Sequence, residues 1–262
     1  MGTGCAQNHG VISIVTIIQI NILYYDTIDL QSKKENLMKL SIIIPVYNEE
    51  KTIRKVLNKV LEQTFVQDVI VVDDGSKDKT ADVLRKIEYQ NSKVKIIIHP
   101  KNLGKGAAVR SGISKVTGDY VLIQDADLEY DPSDYKNLIS QASYKKAIYG
   151  SRLLTKNPHA YHRTYLGNVL ITNFCNILFG TKLTDSYTCY KLLPTKIARA
   201  LNLYSNGFEI EAEITGKLGK RKIPIIEVPI SFKPRSYEEG KKIKAQDALK
   251  GFLMFLKIKL GD

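Results

Sequence analysis

The 262-residue chain contains no tryptophan, only three cysteines and only four histidines. A basic platform that captures nucleic acid wants interleaved aromatic rings for base stacking. With tryptophan missing and acidic motifs crowding the expected cleft, nucleic acid is not an expected partner, and a basic nucleic-acid or membrane-binding module is kept only as the non-enzyme alternative. Cys5, Cys175 and Cys189 are odd in number and far apart. They show neither zinc spacing nor a disulfide framework, so a reducing compartment is expected. The histidines give no metal-binding pattern: His99 ends a strand, while His159 and His162 share a basic loop. The glycines form no phosphate-cradling pattern. The Gly104-x-Gly106 pair lacks the third glycine of a dinucleotide fingerprint, does not open the first βα unit, and is no P-loop. Nucleoside triphosphatases are therefore disfavoured. No apolar run reaches the ~20 residues of a membrane-spanning helix; the best, Val11 to Tyr25, is interrupted by Gln19 and Asn21. It lacks the basic start and the clear cleavage site of a signal peptide, and Ala6 stands where myristoylation needs Ser or Thr. Residues 1–37 read as an N-terminal extension, with the folded part expected to start at Met38.

What is present points to an ordinary globular α/β chain, 44% hydrophobic and 25% charged. The formal net charge is +12. From Lys217 onward twelve Lys/Arg stand against five Asp/Glu, a basic surface suited to a polyanion or an anionic membrane. Strands are expected at 40–44, 68–72 and 94–98, alternating with helices over 49–65 and after Asp78, which is placed to cap the second. A small-residue helix follows Gly106, then a strand that runs into Asp125. Such alternation predicts a Rossmann-like, mostly parallel sheet with helices on both faces. The second half adds a helix at Pro132, a strand at 147–149, a basic loop over 151–164, helices over 165–179 and 208–218, and a strand over 223–230. The organisation expected is one domain, 38–262, with a nucleotide half (38–130), an acceptor half (131–244) and an amphipathic C-terminal helix (245–262). The last has Leu249, Phe252, Leu253, Leu256 and Leu260 at helical spacing with Lys250, Lys257 and Lys259 elsewhere around it, which suits either a membrane interface or a docked helix.

The most informative segment is Asp119-Tyr-Val-Leu-Ile-Gln-Asp125-Ala-Asp127-Leu-Glu129. Its apolar run ends in clustered carboxylates at the edge of the sheet where ligands bind. Packed carboxylates repel one another unless a cation lies between them. Hard oxygen donors with no His or Cys nearby point to Mg²⁺ or Mn²⁺, and a divalent ion there suggests a diphosphate. Pro45-Val-Tyr-Asn-Glu49 and Asp73-Asp-Gly-Ser76 should share that edge. Tyr47 offers a ring for base stacking, Asp74 and Glu49 offer carboxylates to base or ribose, and Gly75 allows a backbone shape that a Cβ would block.

Met38-Lys-Leu-Ser-Ile-Ile-Ile-Pro-Val-Tyr-Asn-Glu49, Val71-Val-Asp-Asp-Gly-Ser76, Asn102-Leu-Gly-Lys-Gly106 and Asp125-Ala-Asp127 together resemble glycosyltransferase family 2, of the GT-A fold. Tyr149-Gly-Ser-Arg152, Thr184-Asp-Ser-Tyr-Thr-Cys-Tyr-Lys191, Glu227-Val-Pro-Ile-Ser-Phe232 and Arg235-Ser-Tyr-Glu-Glu-Gly-Lys241 look like its polyprenyl-phosphate branch, which includes dolichol-phosphate mannosyltransferase. The likeness runs over about 38–255. It implies an inverting hexosyltransferase that uses a nucleotide sugar of the GDP-mannose or UDP-glucose type and a dolichyl or undecaprenyl phosphate acceptor, peripheral at the cytoplasmic face of a membrane. A family 2 enzyme with a sugar-hydroxyl acceptor is the alternative. By position, Pro45, Tyr47, Glu49, Val72 and Asp74 would contact the nucleoside, and Asp125 and Ala126 the ribose or sugar. Asp127 and Glu129 would hold the metal; related enzymes often carry Gln in place of Glu129. Arg152, Arg235 and Lys241 would grip the donor diphosphate and acceptor phosphate, with Arg163 and Lys191 on the acceptor. Asp125, Asp127, Arg152 and Asp185 form the expected catalytic set. Asp185 would be a general base for a hydroxyl acceptor, or would orient Lys191 or a loop if the acceptor is already a phosphate.

Overall fold

β-Branched residues dominate the first strands, and their side chains are buried on both faces. This is the signature of parallel strands covered by helices on either side. The structure, a computed structural model, describes residues 38–158, 162–235 and 245–261, with backbone alone for 162–164 and 245. Seven strands form one sheet: β1 (Leu40–Val46), β2 (Val66–Asp73), β3 (Val94–Ile98), β4 (Tyr120–Ile123), β5 (Ala147–Ser151), β6 (Lys191–Pro194) and β7 (Ile225–Pro229). Their spatial order is β3-β2-β1-β4-β6-β5-β7. All neighbours run parallel except β6, which is antiparallel to both β4 and β5. The mostly parallel α/β expectation holds.

The helices are α1 (Ile53–Leu61), α2 (Thr80–Gln90), α3 (Lys105–Ile113), α4 (Tyr135–Ser140), α5 (His162–Phe179), α6 (Thr195–Ala200), α7 (Ile210–Lys220) and α8 (Ala245–Leu260), with a 3₁₀ turn over Pro132–Asp134. Helix α1 starts later than expected because residues 49–52 form a turn, with the Thr52 and Ile53 amides donating to the Glu49 carbonyl. Asp78 accepts from the Thr80 amide at 2.9 Å, one residue ahead of the N-cap position of α2, which falls on Lys79. Strand β6 and helix α6 were not expected, and α5 begins within the span read as a basic loop. The main core fills the sheet faces. A second apolar cluster joins Ile171 and Cys175 of α5, Ala212 of α7, and Met254, Phe255 and Ile258 of α8. Helix α8 is thus docked through one face. No described helix is long and apolar enough to cross a membrane.

This topology builds one rim. Strands β1, β2 and β3 step outward in one direction, while β4 lies on the other side of β1, so the order reverses between β1 and β4. In open α/β sheets the crevice beyond the carboxyl ends at such a reversal is where ligands bind. Strands β5 and β7 run parallel to each other. The reversed β6 brings its first residue, Lys191, to the same rim, since Leu192 pairs with Leu122 near the end of β4.

Candidate active site

At that reversal lies a cavity of about 470 Å³, within the range of small-molecule sites. Its wall includes Pro45 near the end of β1, Tyr47 and Glu49 after it, Asp74 after β2, Asn102, Gly104 and Lys105 before and in α3, and Asp125, Ala126, Asp127 and Glu129 after β4. Phe208 and Arg235 close it from the second half. Most of the residues expected to touch the donor therefore converge on one cavity.

The left-hand wall rests on Asp74. Its Oδ1 accepts from the Leu103 amide (2.9 Å) and faces His99 Nδ1 (2.7 Å), and its Oδ2 accepts from the Gly104 amide (2.7 Å). His99 reaches Ser111 Oγ through its other ring nitrogen at 2.9 Å. Asp74 thus shapes the wall by fixing the 102–104 loop, beyond any base contact it makes. Gly75 has φ +71°, and a Cβ there would lie 2.5 Å from the Lys101 carbonyl carbon. Gly104 has φ +98°, with a Cβ position 2.3 Å from the Asn206 carbonyl oxygen. Only glycine suits either position.

The acidic turn is anchored from below. The Gln124 amide oxygen accepts from the hydroxyls of Tyr135 (2.6 Å) and Tyr190 (2.7 Å), both buried. Leu128 adopts φ +52°, an uncommon backbone for a branched aliphatic residue, between Asp127 and Glu129. Arg235 balances this turn: its guanidinium reaches Asp127 Oδ2 at 2.7 Å and Glu49 at 3.2 and 3.3 Å, and its amide donates to Glu129 Oε1 at 2.6 Å. Burial, with Asp125 and Glu129 beside it, still pushes the Asp127 carboxyl up to about 7. Arg235 keeps its charge, because Asp127 and Glu49 outweigh the cost of burial and raise its pKa.

Asp125 behaves oppositely. Lys105 Nζ lies 2.7 Å from its Oδ1, and although burial opposes ionisation, Lys105 holds the carboxyl below the usual range. Lys105 also pairs with Glu211 Oε1 at 3.0 Å, and Glu211 Oε2 pairs with Lys191 Nζ at 2.5 Å. An alternating chain of charges therefore descends from the cavity into the core, ending on Lys191, which also donates to the Thr188 carbonyl. Burial works against the Lys105 ammonium, but Asp125 and Glu211 beside it hold its pKa well above normal.

Three sequence expectations need correction. Lys191 is fully buried and ion-paired inward, so its side chain is not on the acceptor. Val72 lies wholly inside β2, in register with Pro45, and is core rather than cavity wall. Asp185 is fully buried and gripped by Arg152 Nε (2.7 Å) and Nη2 (2.8 Å) and by Asn168 Nδ2 (2.9 Å). Despite burial, Arg152 keeps its carboxyl below the usual range. Asp185 is thus poorly placed to take a proton; it orients Arg152, not Lys191. Arg152 stands beside the cavity, its guanidinium 5.1 Å from the Phe232 ring centre, rather than in its wall. Lys241 and the side chain of Arg163 lie outside the described residues, as does the extension 1–37.

Sequence reasoning missed Lys105, Glu211 and Phe208. One signal was available for Lys105. A cation at a helix N-terminus opposes the helix dipole, so a lone lysine between two glycines there needs a carboxylate partner. Cys189 is buried, and burial and Asp125 push its thiol well above the ordinary range.

Known proteins share both pattern and architecture. The family model described as glycosyl transferase family 2 matches residues 41–201. A dolichyl-phosphate beta-glucosyltransferase of Trichomonas vaginalis is 29% identical over 84% of this chain and 72% of its own. A UDP-N-acetylglucosamine–dolichyl-phosphate N-acetylglucosaminyltransferase of Methanococcus voltae is 29% identical over 84% of this chain and 96% of its own. Among solved structures, glucosyl-3-phosphoglycerate synthase from Mycobacterium tuberculosis in complex with Mn²⁺, uridine diphosphate and phosphoglyceric acid superposes with a TM-score of 0.66 at 17% identity, over 88% of this chain and 82% of that one. That likeness speaks to the fold alone. The chain belongs to glycosyltransferase family 2 and is a sugar-transferring enzyme of GT-A architecture.

Proposed function

We propose that the enzyme transfers a hexose, with inversion, from a nucleoside-diphosphate sugar to a polyprenyl phosphate. The observation that carries this reading is the acidic turn at the cavity, held in charge balance by Arg235. Asp127 pairs there with the Arg235 guanidinium and Glu129 accepts from the Arg235 amide, an environment suited to a cation bound to a diphosphate.

The donor set fits a hard divalent ion. Among the described residues no three or more His, Cys, Asp or Glu side chains converge on a single point. Mg²⁺ seldom asks for that, since one or two carboxylates and substrate phosphates complete its shell. Asp127 and Glu129 would hold Mg²⁺ or Mn²⁺, which when bound neutralises negative charge on the leaving diphosphate. Arg235, paired with Asp127 and Glu49 at the cavity wall, is available to meet the diphosphate. Asp125, kept ionised by Lys105, faces the ribose or sugar, and Tyr47 lies where a base can stack.

In the transfer an acceptor phosphate oxygen bonds to the anomeric carbon while the bond from that carbon to the diphosphate breaks. No proton need move, because the acceptor is already an anion. The locking of Asp185 onto Arg152 supports this over a hydroxyl acceptor, which would need a base. Arg152 is then an acceptor-side cation whose orientation Asp185 sets. The relative named for UDP-N-acetylglucosamine supports a uridine donor over GDP-mannose. A screen of UDP-glucose, UDP-N-acetylglucosamine and GDP-mannose against dolichyl and undecaprenyl phosphate, with and without Mn²⁺, tests the proposal. Metal-dependent formation of a lipid-linked sugar is expected. Transfer only to glycan hydroxyls, or none with any donor, overturns it.

A further inference from the structure

Helices α5 and α8 each bury one face and expose a row of apolar side chains on the opposite one. On α8 the row is Leu249, Leu253, Leu256 and Leu260, at i, i+4, i+7 and i+11, with Leu249 61% and Leu260 85% exposed. On α5 it is Leu166, Leu170 and Ile177, the last 82% exposed. The helices meet through Phe174 and Phe252, whose ring centres are 5.1 Å apart. Phe174 is four residues from Leu170 and Phe252 four from Leu256, so this contact joins the edge of one row to the edge of the other. More than half of the exposed large apolar side chains among the described residues lie on these two helices. Scattered apolar residues on a surface need no explanation, but a continuous patch does.

We propose that this α5–α8 face rests on an anionic lipid bilayer. The α8 row runs about 16 Å along the helix at 1.5 Å per residue, directly opposite the buried Met254, Phe255 and Ile258. Lys250 and Lys257 border the leucines on one side and Lys259 on the other. All three lysines are exposed, Lys257 with its ammonium over the Tyr204 ring and Lys259 donating to the Leu178 carbonyl at the rim of the patch. A leucine stripe edged by lysines is the pattern of a helix lying in the interface plane, its apolar side among acyl chains and its cations among phosphates. A second copy of the chain suits the face less well: self-association would set the lysine borders of two basic molecules against each other, and like charges at an interface are costly. The inference deepens the proposed function by holding the enzyme where a lipid-borne acceptor resides, but its test needs no catalysis.

Flotation of the full chain with vesicles of phosphatidylcholine alone, or with 30% phosphatidylglycerol, provides that test. Binding to the anionic vesicles is expected, weakening in high salt. The Leu253→Glu, Leu256→Glu double variant should lose about tenfold or more in partitioning, given the apolar burial that each leucine contributes, with an unchanged melting temperature. Leu166→Glu on α5 gives an independent second probe. Transfer to a short, water-soluble prenyl phosphate should be unaffected in these variants, which separates this inference from the assignment of the reaction. Equal flotation of wild type and both variants overturns the proposal. So does binding that disappears only when residues 1–37 are deleted, or a variant-sensitive dimer in sedimentation with no vesicle binding.

Discussion

Asp127 has a carboxyl that titrates near neutrality because burial and two acidic neighbours outweigh Arg235. Below about pH 7 a divalent ion must displace a proton from it; above, it need not. Affinity of the nucleotide-free protein for Mn²⁺ should therefore fall roughly tenfold per unit below pH 7 and level off above it, measurable by calorimetry or electron paramagnetic resonance. Asp127→Asn should remove that slope and nearly abolish transfer; full turnover with metal still required would place the ion elsewhere. Lys105 makes a different prediction. Lys105→Met leaves Asp125 without its cation and Glu211 with only Lys191. A loss of about 3 kcal/mol in urea unfolding is expected for breaking such a buried pair, together with a fall of about 100-fold in kcat, the usual scale for losing a preorganised electrostatic partner. Rescue by Lys105→Arg should be partial, since a guanidinium does not fit the space of an ammonium.

At the level of elements, the loop before α3 is tied to Asp74 on one side and presses on residues 205–207 on the other. Gly104→Ala would force a Cβ to 2.3 Å from the Asn206 carbonyl and a side chain into a glycine backbone region. A cost of about 2 kcal/mol or more in unfolding is expected, with a raised donor KM as the loop shifts. The strands and helices of the first half were legible because β-branched runs and helical spacing recur there without interruption. Strand β6 was not. Lys191-Leu-Leu-Pro194 is four residues long, begins with a charge and ends in proline, so it carries neither alternation nor length. The burial of Lys191 was equally hidden, because its partner Glu211 lies twenty residues on and only the fold brings them together. The same holds for Asp185, whose partners Arg152 and Asn168 are distant in sequence and meet it only in the fold. Carboxylates that follow strands directly were readable, since position along a parallel strand alone fixes which rim they reach.

For the whole molecule, the rim explains how motifs scattered over nearly two hundred residues, from Pro45 to Arg235, reach one cavity. Six strands leave the sheet with their carboxyl ends on that side, and the reversed one enters from it. The family-model match stops at residue 201, yet Phe208, Glu211 and Arg235 all lie beyond it, as does β7. Strand β7 occupies the free side of β5, pairing from Ala147 with Ile225 to Ser151 with Pro229. A chain ended after Leu201 would bare five residues of unsatisfied ladder on an apolar strand, a ready template for other chains. Such a fragment should accumulate as insoluble aggregate, while one ending after Arg235 retains the β5–β7 pairing; the partition between supernatant and pellet after expression decides it. The segment that the family model matches would then be an incomplete folding unit, dependent on the chain that follows it for solubility as much as for catalysis.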